Sequence, residues 1–422
     1  MQMDADAFNP DEVADSATVQ IAPLPRISIQ AFCETSETAS LIENVAADRR
    51  LIKVHVKVQT GGAAAALEAY SSAPTPNLIL IESNSNRETL VEQLDSLAEY
   101  CDPGTKVVII GRNNDILLYR ELVARGVSEY LVSPIDRISL IKALSDLYST
   151  PGTTALGRVI AVTGSKGGTG SSTIAHNIAW SLSRNADMAT IIVDMDLAFG
   201  TAGLDFNQDP PQSIADAVFS PERLDANMLD RLLSKCTDKL GILAAPATLE
   251  RMYDFTETAF DSLLDLLRGS TPIIILDIPH VWTAWTRRML VGADDVIIVG
   301  SPDLASLRNT KNLMDSLRAA RPNDSRPKLV MNMIGVPKRP EIAVVDFAKA
   351  LEVDPVGVVP FDPKLFGTAA NNGQMLSEVD ARSKVSETID EIASSLLGRT
   401  EIRAPKRSLF QPLVSKFRKS KS

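Results

Sequence analysis

The chain has 422 residues, 45% of them hydrophobic and 23% charged, which is enough for two domains of ordinary size with real cores. A net charge of −10 argues against a generic nucleic-acid binder, since phosphate contacts need a basic face. Three cysteines, at 33, 101 and 236, offer neither a zinc-type pair nor an even set of bridges, as in a reducing, cytoplasmic compartment, and no uncharged apolar run approaches the roughly 18 residues that span a bilayer.

Residues 1–25 read as a disordered acidic N-terminus, because the first 24 carry five acids and no Lys or Arg, unlike a signal peptide. From 26 to 148, short β-branched runs alternate with amphipathic ones. "RISIQAF", "LIKVHVKV", "NLILIE", "KVVIIG" and "SEYLV" are strand-like, while "RETLVEQLDSLAEY" spaces Leu90, Leu94 and Leu97 as a helix does. Five strands alternating with five helices predict a parallel, doubly wound sheet. This half resembles the receiver domain of response regulators, most closely in "KVVIIGRNND" and "ARGVSEYLVSPID". Receivers carry an aspartate where this chain has Glu82 and a lysine where it has Ser133, so the resemblance implies an atypical, flavodoxin-like receiver without aspartyl phosphorylation. Glu82 is expected as a surface acid on a partner-binding scaffold.

The segment 149–157, "STPGTTALG", reads as a linker. A second doubly wound α/β domain is expected over 158–397, with strand-like runs at "RVIAVT", "ATIIVD", "LGILAA", "PIIILD", "DDVIIVG", "PKLVMN" and "VGVVP". Behind "RVIAVT" lies "GSKGGTGSST", residues 164–173. A phosphate-binding loop asks for Gly, four residues, then Gly-Lys-Ser/Thr, but Ser165 stands at the first glycine and Ser171 at the lysine. Ile174, Ile178 and Leu182 follow at helical spacing, giving the strand, loop and helix that such a motif requires. Gly167, Gly168 and Gly170 let backbone N–H groups around Thr169, Ser171 and Thr173 turn inward as an anion nest, with the helix N-terminus adding partial positive charge. Ser172 occupies the position of a Mg²⁺-binding hydroxyl.

Two further runs end in acids. "IIVDMD" closes a hydrophobic strand on Asp194 with Asp196 two residues on, and "PIIILD" runs into Asp277, as a carboxylate that holds Mg²⁺ through water would. "VMNMIG" and "VVPFDPKLFGTAANNG" come late, where a base-binding edge belongs.

On these residues the second half resembles the MinD/ParA class of P-loop ATPases, whose loop reads KGGxGK[ST]. The resemblance implies that Lys166 is the signature lysine reaching across a dimer to the partner's nucleotide. It makes Asp194 and Asp196 the switch acids, with Asp196 orienting the attacking water, and Asp277 the second acid on Mg²⁺. Asn332 reads adenine in that class, and Pro360 with Asp362 closes the base pocket. "KGGTGSST" after a degenerate receiver is similar to the TadZ/CpaE family of Flp (tight adherence) pilus assembly factors. That likeness implies ATP and Mg²⁺ as cofactors, an ATP-dependent homodimer, and partners in pilus or secretion machinery at the inner face of the cytoplasmic membrane, often at a pole. Serine at 171 removes a positive charge from the β- and γ-phosphates, so slow or absent hydrolysis is expected. The alternative is a MinD- or ParA-like cycling ATPase that positions other cargo on membrane or nucleoid.

Residues 398–422 form a basic tail. Seven Lys/Arg and no acids fall between Ile402 and Ser422, and Leu409, Phe410, Leu413, Val414 and Phe417 make one apolar helical stripe, suited to an anionic membrane surface or a protein partner.

Overall fold

A computed structural model describes residues 21–148, 156–249 and 251–397. The basic tail, most of the 149–157 segment and residues 1–20 lie outside them. Residues 21–25 correct the expectation for the N-terminus: Ile21 and Leu24 are buried in the first core, and Leu24 N–H donates to the Arg50 carbonyl at 2.9 Å. Their apolar side chains outweigh the acidic average of the window.

The first half holds five parallel strands, β1 (Ser28–Cys33), β2 (His55–Thr60), β3 (Leu78–Ser83), β4 (Lys106–Gly111) and β5 (Glu129–Val132), in the order β2-β1-β3-β4-β5. This is the flavodoxin-like order, whose chain reversal opens a crevice between β1 and β3. β3 is buried along its whole length, as a central strand covered on both faces must be.

Glu82 fills that crevice. Far from a surface acid, it is 4% exposed, because its carboxylate accepts from the N–H groups of Glu34 and Thr35, both at 2.8 Å. The hydroxyls of Thr35 at 2.7 Å and Thr38 at 2.8 Å donate as well. Burial would raise its pKa, but these donors outweigh burial and hold it below the usual carboxylate range.

The second half is an eight-stranded sheet. Its strands are β6 (Arg158–Gly164), β7 (Thr190–Asp194), β8 (Ser234–Lys235), β9 (Leu240–Leu243), β10 (Ile273–Ile278), β11 (Asp295–Gly300), β12 (Lys328–Ile334) and β13 (Pro355–Pro360), in the order β13-β12-β11-β6-β10-β7-β9-β8. All the pairings are parallel except that of β8 with β9. β8 is the one strand without a sequence signal, since two polar residues on an edge show no period. β6 lies between β11 and β10, so the loop leaving its C-terminal end opens at the switch point where α/β sheets bind ligands. The helix Ser171–Asn185 that follows is anchored by fully buried Ile174, Ile178 and Leu182, and packs against the helix Lys384–Leu396.

An ionic network joins the halves. Arg49 Nε donates to Asp324 at 2.8 Å, its Nη1 donates to the Gly292 carbonyl at 3.1 Å and pairs with Asp294 at 3.3 Å, and Arg50 pairs with Asp324 at 2.5 Å. Arg268 reaches Asp294 from the other side at 2.9 Å, and Asn323 donates to Asp48 at 2.9 Å. The side chains of Arg49, Arg50, Asp294 and Asp324 are all less than a tenth exposed. Buried charge of this kind persists only when paired.

Candidate functional site

The loop after β6 curls tightly. Gly168 and Gly170 have φ of 78° and 80°, a conformation that disfavours a side chain, and a Cβ at Gly170 would lie 2.6 Å from Asn332 Nδ2. Beyond Gly167 and Gly168, by contrast, a Cβ would meet no atom within 4 Å, so the backbone there is bare toward open space. Thr169, 1% exposed, closes the curl by donating from Oγ1 to the Lys166 carbonyl at 3.2 Å. Ser171 starts the helix, with Ser172 and Thr173 in its first turn. Bare glycine backbone, a helix N-terminus and first-turn hydroxyls are the donor set that suits a polyphosphate with Mg²⁺.

The acids complete the set. Asp277 on β10 is the direct register partner of Asp194 on β7, so two carboxylates stand side by side at the C-terminal edge beside β6. They are 2% and 0% exposed. Asp194 accepts from the N–H groups of Asp196 at 3.1 Å and Ala202 at 3.0 Å. Burial first and the neighbouring Asp277 second push its pKa up to about 7. A buried acid pair so placed favours a bound cation. Asp196 accepts from Phe199 N–H at 3.1 Å.

Lys166 extends over the surface and pairs with Asp303 on its own chain at 2.9 Å, with both side chains over a third exposed. Asp303 caps the helix Leu304–Ala320, and the same junction grips the loop through Ser165 Oγ against Ser306 Oγ at 2.6 Å and Asn309 Nδ2 donating to the Ser165 carbonyl at 3.0 Å.

A cavity of about 330 Å³ opens beside Gly170, lined among others by Thr173, Asn332, Pro360 and Asp362. Sequence-distant candidates therefore meet at one place. Asn332 is 3% exposed and donates from Nδ2 to the Thr169 carbonyl at 2.8 Å while accepting Met333 N–H at 2.8 Å, so in this state it braces the loop. Asp362 caps the helix Pro363–Asn372 by accepting Leu365 N–H at 3.0 Å.

No motif in the sequence marks His176. It is fully buried one turn beyond Ser172, with Nδ1 2.7 Å from Asp205 Oδ2 and Nε2 3.4 Å from Asp277 Oδ2, the latter without hydrogen-bond alignment. Burial would lower its pKa, but the two acids outweigh burial and raise it to about 10. The spacing of four from Ser172 was the available signal. His280 Nδ1 lies 2.9 Å from the Gly164 carbonyl, and Trp285 packs against Phe260.

A glycine curl on a switch-point strand, backed by a buried acid pair, defines a P-loop nucleotide-binding domain. Residues 157–331 match the family model described as an AAA domain. The septum site-determining protein MinD of Synechocystis is 27% identical over 252 residues, 58% of this chain and 91% of that protein. A ParA family ATPase from Chlorobium tepidum is 25% identical, with TM-score 0.52 over 58% of this chain and all of that one. A pilus assembly protein CpaE from Caulobacter crescentus is 50% identical over 31% of this chain and 98% of that one, with TM-score 0.30. The second half of the chain is similar in sequence and fold to P-loop ATPases of the MinD/ParA type. Among the described residues, no helix is long and apolar enough to cross a membrane.

Proposed function

We propose that the protein is an ATP-binding, dimerising localisation and assembly factor for a Flp-type pilus or a related secretion machine, with slow or absent ATP hydrolysis. The observation that carries the nucleotide reading is the loop itself: a glycine curl with bare backbone at Gly167 and Gly168, beside the adjacent buried acids Asp194 and Asp277. ATP phosphates would lie against the backbone N–H groups of 167–173, and Mg²⁺ would be held by Ser172 with Asp194 and Asp277. Bound Mg²⁺ supplies charge neutralisation at the phosphates. The base would enter the cavity beside Asn332, Pro360 and Asp362.

Hydrolysis is slow on this reading because Ser171 brings no charge to the transferring phosphate, a loss worth on the order of 10²–10³ in rate. Lys166 is exposed enough to exchange Asp303 for the phosphates of a second copy. The cargo is assigned from the motif "KGGTGSST" and the two-half arrangement, which resemble pilus factors. Analytical ultracentrifugation with ATP, ADP and no nucleotide tests the dimer. A shift to dimer with ATP only, abolished by Lys166→Ala, is expected; an unchanged distribution would sink it, and turnover at MinD-like rates would favour the cycling-ATPase alternative.

A further inference from the structure

Asp205 ends the short helix Ala202–Asp205 and lines the 330 Å³ cavity. The start of that helix is tied to one acid of the pair, since Ala202 N–H donates to Asp194 Oδ2 at 3.0 Å. Its end is tied toward the other acid through a buried ring: Asp205 Oδ2 lies 2.7 Å from His176 Nδ1, and Asp277 Oδ2 lies 3.4 Å from His176 Nε2. Phe206 packs against the ring with centroids 5.5 Å apart, and Thr201 Oγ1 donates to the same Asp205 oxygen at 3.3 Å.

We infer that His176 is a positioning residue that links Asp277 to the Ala202–Asp205 helix, making the acid pair and the base-cavity wall one mechanical unit. The inference rests on the nucleotide reading above. Three observations carry it. The ring is 0% exposed, so no water relieves it if either acid moves away. Both acids contact one four-residue helix, Asp194 directly and Asp277 through His176, so drawing them toward a cation shifts both ends of that helix. Finally, Asp205 faces the cavity, so the shift reaches the wall where a base would sit. A residue that orients a metal-holding carboxylate from behind typically changes metal affinity by about 10–100-fold when replaced.

The test uses full-length His176→Gln, Asp205→Asn and the double variant. In nucleotide-free protein, amides 202–206 should exchange with solvent about tenfold faster in each variant, with the helix Leu304–Ala320 unaffected. In titrations with ATP, the ratio of affinities with Mg²⁺ and with EDTA should fall about tenfold in each single variant and no further in the double, because the two changes break one connection. A merely packing role would weaken both affinities alike and spare the ratio. Unaltered exchange at 202–206, a preserved ratio, or single effects that multiply would overturn the inference. Should His176→Gln fail to fold, Asp205→Asn, whose side chain is 21% exposed, decides alone. Wild-type protein that bound no ATP would defeat the nucleotide reading, and the exchange measurement would still decide the link.

Discussion

Ser171 and Glu82 stand where the resemblances drawn from the sequence would put a lysine and an aspartate, and the structure gives the two residues different surroundings. Ser171 leaves the loop's backbone intact and subtracts one charge, so Ser171→Lys is expected to raise single-turnover ATP hydrolysis on the order of 10²–10³-fold without tightening binding in proportion. Glu82 instead works inward, as the acceptor for four donors at the start of the helix Ser36–Ala46. Glu82→Gln would set an amide N–H₂ against some of those donors, at a cost of about 1–3 kcal/mol per orphaned group, read as a lower Tm. The pH dependence has a defined sign. A carboxylate held below its ordinary pKa when folded contributes stability above that ordinary value, and the contribution is lost as pH falls through the folded pKa. The wild type should therefore lose stability in acid more steeply than the Gln variant.

At the scale of elements, the buried parallel strands were legible because they read as unbroken apolar runs, as "PIIILD" and "NLILIE" do. The acids Asp194 and Asp277 were legible for the same reason, as polar stops on apolar runs. What stayed hidden depends on register and on turns. Nothing in the sequence says that Asp194 and Asp277 are partners across two strands, that His176 lies behind Asp277, or that Asn332 reaches back to Thr169 over 163 residues. The Gly170 turn makes one such long-range contact testable. Gly170→Ala would force a side chain into left-handed backbone, costing about 1–3 kcal/mol, and would push Asn332 off the loop. ATP affinity should fall at least tenfold while the circular dichroism spectrum is kept.

The whole molecule is held together by charges that composition cannot reveal. Asp48, Arg49 and Arg50 sit on a turn of the first half, yet their partners Asp294, Asp324 and Asn323 lie in the second. Arg49 also grips the Gly292 carbonyl at the end of the helix Ala284–Gly292, which follows the Asp277 strand. Arg49→Ala would leave Asp294 and Asp324 short of a buried partner, a loss of about 3–5 kcal/mol. All three tryptophans fall in the second half. In urea, tryptophan fluorescence and far-UV circular dichroism should coincide for wild type and separate for the variant.

The proposed nucleotide site binds well and turns over poorly. Calorimetric titration of the full chain with ATP and Mg²⁺, followed by chromatography of the nucleotide recovered after an hour, measures both properties at once. One ATP bound per chain and recovered as ATP is the expected result; no binding, or recovery as ADP within minutes, would contradict it.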